Sequence, residues 1–338
     1  LGHFRPAIPY AATTLQQLGF SADMTSYLVP YATDEVLHVC FSERATEAKQ
    51  RFFAQGYLLK EWRSQQHIIE CRDPHVAPFR EGLMRLADDV LFVEDGDRRG
   101  YYHPRIDARH TFAYQRLSEP LQRCFDRLHD DYFYHRHNDF WREEALRKLP
   151  VICSATSMLA CGEDLGMIPA CVPDVMTQLH ILSLAIERMP KQQGARFGEP
   201  ASDPYLSVST TSTHDMSTLR GWWRESPDDA QYYYTHLLHL PGKAPEDCPP
   251  EVCRHILERT LHGNALLAIL PLQDWLSVSE VRRADPLAER INVPANPHHY
   301  WCYRLHLTLE QLLSADTLQT EIRRLVASRR NGTSVDTQ

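Results

Sequence analysis

The chain has 338 residues, 43% hydrophobic and 24% charged, with a formal net charge of −8. That length holds one large or two ordinary domains with ample core, and an acidic balance without a long basic run argues against a nucleic-acid or anionic-membrane partner. No apolar run approaches the ~20 residues that a membrane helix needs, and Leu1-Gly2-His3-Phe4-Arg5 has neither the charged head nor the apolar centre of a signal peptide. The nine cysteines are scattered, form no Cys-x-x-Cys pair, and read as reduced thiols of a cytoplasmic protein. His135-Arg-His137 and Cys248-x4-Cys253-Arg-His255 are the only clusters near ligand spacing and fit no tetrahedral pattern, so no metal or cofactor is expected. Without an initiator Met, and with Phe4-Arg5-Pro6-Ala7-Ile8-Pro9 near its start, the chain reads as a fragment.

Residues 1–33 are irregular and Pro-bearing, expected as a loop with short helical turns. Ser42–Gln55 has helix-forming composition with Ser42 as its cap, and Tyr57–Trp62 fits strand or helix. Val76–Asp88 spaces Phe79, Leu83 and Leu86 as one helical face. Val90–Val93 is a short strand-like run, and across the polar turn Gly96–Gly100 the stretch Tyr101–Ile106 is placed to pair back as a hairpin. Ser118–Leu149 is helical and rich in aromatics. From Pro150 the rhythm changes to short apolar runs alternating with helices. Val151-Ile152-Cys153 is one such run, and Met158–Cys161 leads into Gly162. Strands are expected at about 158–162, 182–186, 205–211 and 266–270, a βα series. Ser226-Pro227-Asp228-Asp229 starts a helix, Pro249-Pro250-Glu251 another, and Leu318, Ile322, Leu325 and Val326 mark a C-terminal one. Four strands make either a small open sheet or half of a (β/α)8 barrel.

Two stretches carry chemistry. In Ala160–Pro169 an apolar run expected as a short buried strand ends at Gly162, with Glu163 and Asp164 directly after it. Parallel α/β folds place catalytic groups in just this way; as an isolated pair, the two acids also fit a solvated loop. In Ser209–Trp223, His214 and Asp215 follow a second expected strand, with Trp222 and Trp223 nearby. Alone, these fit a capping Asp215 beside a core His214. Carboxylates with aromatic platforms suit a sugar, whose pyranose ring has apolar faces and a hydroxyl rim. Glycosidic cleavage needs an acid for the leaving oxygen and negative groups to stabilise an oxocarbenium-like centre.

Gly162-Glu-Asp-Leu-Gly166, Ser212-Thr-His-Asp215 and Glu289-Arg-Ile-Asn-Val-Pro294 together resemble the 4-α-glucanotransferases of glycoside hydrolase family 77, the amylomaltases and disproportionating enzymes. Arg188-Met-Pro-Lys191, Gly221-Trp-Trp223, Pro294-Ala-Asn-Pro297 and Tyr300-Trp301 resemble the disproportionating branch, and the likeness runs from about Asp131 onward. It implies an α/β fold, the C-terminal portion of a (β/α)8 TIM barrel with a largely helical insertion. The expected divisions are a loop after barrel strand 4 at 1–33, the insertion with a possible hairpin at 34–149, and strands 5–8 with the C-terminal helix at 150–338. It also implies α-1,4-glucans and maltooligosaccharides as substrates of a retaining double displacement. Carried over by motif, Glu163 is the acid/base and Asp215 the transition-state stabiliser. His214 is a hydroxyl donor, and Asn292 and Asp164 complete the substrate side, Asp164 by holding local geometry. The family's nucleophilic Asp precedes a Leu-Gly-x-Phe-Arg segment, here Leu1–Arg5, so it is expected just upstream of Leu1 and the chain is expected to be inactive alone. The rival readings are a hydrolase of the α-amylase clan, a non-catalytic glucan-binding protein and a Cys/His metal-binding protein.

Overall fold

The computed structural model describes residues 8–332 apart from 167, 193 and 297. The chain divides into two compact units, one reaching to Ala145 and including Pro169–Cys171, the other comprising Leu146–Ile168 and Val172 onward. The boundary falls inside the helix His137–Ser154.

The first unit carries five short strands: β1 (Tyr10–Ala11), β2 (Phe53–Ala54), β3 (Tyr57–Leu58), β4 (Phe92–Glu94) and β5 (Tyr101–Pro104). β4 and β5 pair antiparallel across the Gly96–Gly100 turn, with Glu94 opposite Tyr102, and β1 adds to the other edge of β5. β2 and β3 form a two-residue hairpin whose corner residues, Gln55 and Gly56, both have positive φ (51° and 83°), the geometry that matches strand twist in tight hairpins. A Cβ at Gly56 would run into the Tyr31 ring. The helix Asp34–Phe41, capped by the Thr33 hydroxyl accepting from the Val36 N–H, is not evident in the sequence reading. Ser42, expected to cap the next helix, instead ends this one at φ 51°, and the following helix starts at Ala45. Two cores result, one around Leu37, Phe52, Leu58 and Leu83, the other around Leu15, Phe92, Phe125 and Tyr132.

Helix persists from Glu119 through a π turn at Asp131–Arg136 into His137–Ser154, passing through Pro150. Val151 and Ile152, read from sequence as a strand-like run, therefore lie exposed in a last helical turn. A three-residue apolar run is too short to distinguish the two, and Pro150 forfeits one helical hydrogen bond without ending the helix.

The second unit is built on a parallel sheet of β6 (Ser183–Ile186), β7 (Ser207–Thr210) and β8 (Leu267–Ala268), in that order. Ser183 to Ile186 face Ser207 to Thr210 in register, and Val208 faces Leu267. The stretch expected as a buried strand at 158–162 is reduced to one parallel bridge, Cys161 to Leu182. Leu182 N–H donates to the Ala160 carbonyl at 2.9 Å and Gly162 N–H to the Leu182 carbonyl at 2.8 Å. Met158 is 76% exposed, and Leu159 and Cys161 are exposed too. The backbone is paired, but among the described residues nothing covers the apolar side chains before it, and the pairing does not extend.

The helices Leu219–Glu225, Pro250–Leu261 and Asp316–Gly332 close over a core that includes Trp223, Tyr233, Leu257, Leu276 and Leu325. Glu187, just beyond β6, is buried and accepts from the Tyr233 hydroxyl (2.6 Å) and Arg259 Nε (3.0 Å), tying the end of β6 to the helix Pro250–Leu261. Desolvation raises the Glu187 pKa, and these two donors oppose the rise. Among the described residues no helix is long and apolar enough to cross a membrane.

Candidate active site

A cavity of about 480 Å³ runs along the sheet face that carries Val208 and Thr210, reaching Ser212–His214 past the end of β7. Gly162 and Glu163 line it next to β6, which adds Ser183 and Leu184, and Ile269–Pro271 add the segment after β8. Sites beyond the carboxyl ends of parallel strands are the rule in such folds, because the loops there converge while the strands stay rigid.

Glu163 is exposed, and its Oε1 accepts from the Leu165 N–H at 3.0 Å, folding the acid loop back on itself. Gly166 continues that turn at φ 82°, a conformation an L side chain adopts only at a cost. Asp164 differs sharply from its neighbour. It is buried, its Oδ1 accepts from the Leu184 N–H at 2.9 Å and its Oδ2 from Lys191 Nζ at 2.6 Å. Both oxygens are engaged within the protein, so Asp164 anchors the acid loop to β6.

The second loop, 211–218, is pinned from several directions. Asp274, 1% exposed in the helix Leu272–Leu276, accepts from Thr211 Oγ1 (2.6 Å), Ser212 Oγ (2.8 Å) and the Leu219 N–H (2.8 Å). Arg188 donates to the Thr211 carbonyl at 2.7 Å and the Ser217 carbonyl at 2.9 Å, with its guanidinium 5.1 Å from the Trp222 ring centroid. Burial lowers the Arg188 pKa to about 10, against the pull of nearby Asp274, so it remains a cation at neutral pH.

From the other side, Asn292 N–H donates to the His214 carbonyl at 3.1 Å, and Asn292 Nδ2 donates to Asp215 Oδ1 at 2.6 Å. Arg290 Nε holds the Asn292 carbonyl at 3.0 Å and its Nη1 lies 3.4 Å from Glu225, which also accepts from Ser217 Oγ. His214 Nε2 lies 3.3 Å from Asp215 Oδ2, and the His214 ring lies 5.2 Å from that of Trp301.

The structure thus places Glu163 and His214 on one cavity and sets Asp215 and Asn292 against His214; Asp215 itself is outside the cavity lining. Trp222 and Trp223, expected near the site as aromatic platforms, are core residues, because their helix turns that face inward. Asp274 and Arg188 were not recognised as site residues from sequence. The available signals were position: Asp274 follows the last expected strand, as Glu163 and His214 follow theirs, and Arg188 opens the Arg188-Met-Pro-Lys191 motif.

Glu289 is buried 3.8 Å from Arg220, and no side chain among the described residues hydrogen-bonds its carboxylate. Burial pushes its pKa up to about 7 although Arg220 opposes the shift. All nine cysteines are free, and among the described residues no three His, Cys, Asp or Glu side chains come together as a metal site.

Acids delivered by strand-end loops beside a cavity define this unit as an enzyme-like parallel α/β domain. The sequence model of the 4-alpha-glucanotransferase family, glycoside hydrolase family 77, matches residues 98–309. The chain belongs to that family. It is 34% identical over 343 aligned positions to 4-alpha-glucanotransferase DPE2 of Oryza sativa subsp. japonica, covering 97% of this chain and 36% of the rice protein. A 4-alpha-glucanotransferase of Chlamydia muridarum is 32% identical over 180 positions, 50% of this chain and 32% of that protein. The chain therefore spans about a third of the length of these curated relatives. An amylomaltase from Streptococcus agalactiae, solved in complex with acarbose, superposes over 82% of this chain and 48% of its own, with a TM-score of 0.42 and 14% identity.

Proposed function

We propose that this chain carries the acid/base side of a 4-α-glucanotransferase site, moving α-1,4-glucan segments between maltooligosaccharides by a retaining double displacement. The observation that supports this most directly is Glu163, exposed on the cavity that His214 also lines, with the Asp215–Asn292 pair in contact with His214. In the first step a nucleophilic carboxylate bonds to the anomeric carbon as the C1–O bond breaks, and Glu163 gives its proton to the departing glucan oxygen. In the second, Glu163 takes the proton from an acceptor 4-hydroxyl, whose oxygen displaces the carboxylate. Such pairs of carboxyls stand ~5–5.5 Å apart. Asp215 bridges sugar hydroxyls as positive charge develops, His214 donates to a hydroxyl, Asn292 orients Asp215, and Asp164 holds Glu163 in place. No carboxylate among the described residues is assigned as nucleophile, and on this reading it lies ahead of Leu1.

On the same reading, residues 150–338 supply strands 5–8 of a (β/α)8 barrel, 34–149 a helical insertion and 1–33 the loop after strand 4. The test is incubation with maltotriose of the chain as it stands and of the chain extended at Leu1 by the expected Arg-x-Asp-His segment with the strands that carry it. A ladder of longer oligosaccharides plus glucose from the extended form, abolished by Glu163→Gln, is the expected result. Glucose and maltose alone would make it a hydrolase, and a ladder from residues 1–338 alone would put the nucleophile within them.

A further inference from the structure

Of the six tryptophans, Trp222 and Trp223 are buried, Trp62, Trp141 and Trp275 are partly buried, and Trp301 is 58% exposed. Tyr300 beside it is 80% exposed. Paired large aromatics left in water are a more informative observation than single exposed aliphatics. Trp301 is nevertheless not on a loose segment. Its ring packs at 5.2 Å and 50° against His214, and its loop is tied through Asn292 to the His214 carbonyl (3.1 Å) and through the His299 ring to the Ile291 carbonyl (2.9 Å). The indole is therefore held against His214, whose imidazole lies 3.3 Å from Asp215, and Asp215 with its Asn292 partner is an acceptor and donor set of the kind a hydroxyl rim requires.

We propose that Trp301 is a stacking platform for one glucose ring of an α-1,4-glucan, outside the cavity of Glu163 and next to it. This rests on the glucan-transfer reading of the site. His214 lines the cavity and Trp301 does not, yet the two rings touch. A ring on Trp301 is thus a neighbour of the ring in the cavity, which makes Trp301 matter for oligosaccharides and not for glucose. An aromatic face with a few placed polar groups is the usual composition of a small-molecule site, and a rigid tryptophan is a frequent centre of binding energy.

The experiment is titration of residues 1–338 with glucose, maltose and maltopentaose, followed by calorimetry and by tryptophan fluorescence. Affinity is expected to rise with chain length and fluorescence to change on binding. Trp301→Ala should weaken maltopentaose binding about tenfold, the scale of a lost central aromatic contact, and leave glucose binding unchanged. Trp301→Phe keeps a flat face, so it should retain most of the affinity while losing the fluorescence change. Equal maltopentaose affinity in wild type and Trp301→Ala, a parallel loss of glucose binding, or no saturable binding by the wild type would each overturn the platform. Binding that depends on Trp301 in a protein whose extended form never transfers glucan would retain the platform and refute the reaction.

Discussion

The two loops that carry the proposed chemistry are held very differently. The His214–Asp215 loop is gripped by Asp274 and Arg188 from within and by Asn292, Arg290 and Glu225 from outside, so side chains from four separate stretches converge on eight residues. Among the described residues the Glu163 loop has one buried anchor, Asp164, and a single bridge to the sheet. The difference follows position. Among the described residues β7 is flanked by β6 and β8, whereas Cys161 is bridged to Leu182 alone. A stabilising carboxylate gains from a fixed position because its field must be in place before charge develops. On the proposed reading the acid serves a leaving oxygen and then an acceptor, and among the described residues its loop has the fewer tethers.

The largest effect should come from breaking the grip on the second loop. Asp274→Ala leaves two buried hydroxyls and the Leu219 N–H without their acceptor beside the Arg188 cation, and should cost about 3–5 kcal/mol in chemical denaturation. A loss below 1 kcal/mol would show that the loop does not depend on Asp274. Next is the pH dependence carried by Glu289, at the start of the segment that reaches Asn292. Its folded pKa of about 7 lies above the ordinary 4.5, so between these values the folded protein holds a proton that the unfolded chain has released. Stability present below about 4.5 is then lost as pH rises to about 7, by about 3 kcal/mol, and Glu289→Gln should flatten that part of the profile. An unchanged slope in the variant would assign the dependence elsewhere.

On the weaker loop, Asp164→Ala strands the Leu184 N–H and frees Lys191, an expected cost of about 1–3 kcal/mol, smaller than that at Asp274. Equal or larger destabilisation would reverse the ranking of the two loops. Gly166→Ala, forced to positive φ, should cost about 1 kcal/mol in thermal unfolding. Glu163→Gln sits at the bottom of the series, within about 0.5 kcal/mol of wild type as an exposed substitution, while abolishing transfer by the extended protein. A stability loss above 1 kcal/mol there would give Glu163 a structural part.

Sequence by itself determined the elements with strong local signals: the antiparallel pair across Gly96–Gly100, the parallel strands at 183–186 and 207–210, and the helix opening at Pro250. In each, the apolar period or the turn chemistry acts over a few residues, and tertiary packing reinforces it. The motifs also singled out both loops, which the structure places after strand ends. Only the tertiary structure decided that Trp222 and Trp223 face the core while Trp301 faces water, since an aromatic residue reads the same in either place. It also separated Glu163 from Asp164, adjacent acids of which one is exposed on the cavity and the other buried against Leu184 and Lys191. The role of Asp274 lies in contacts across 55 to 63 residues of chain, a distance over which no local pattern carries information. The stretch 158–162 has the composition of a buried strand, and its burial was decided by whether anything covers its side chains.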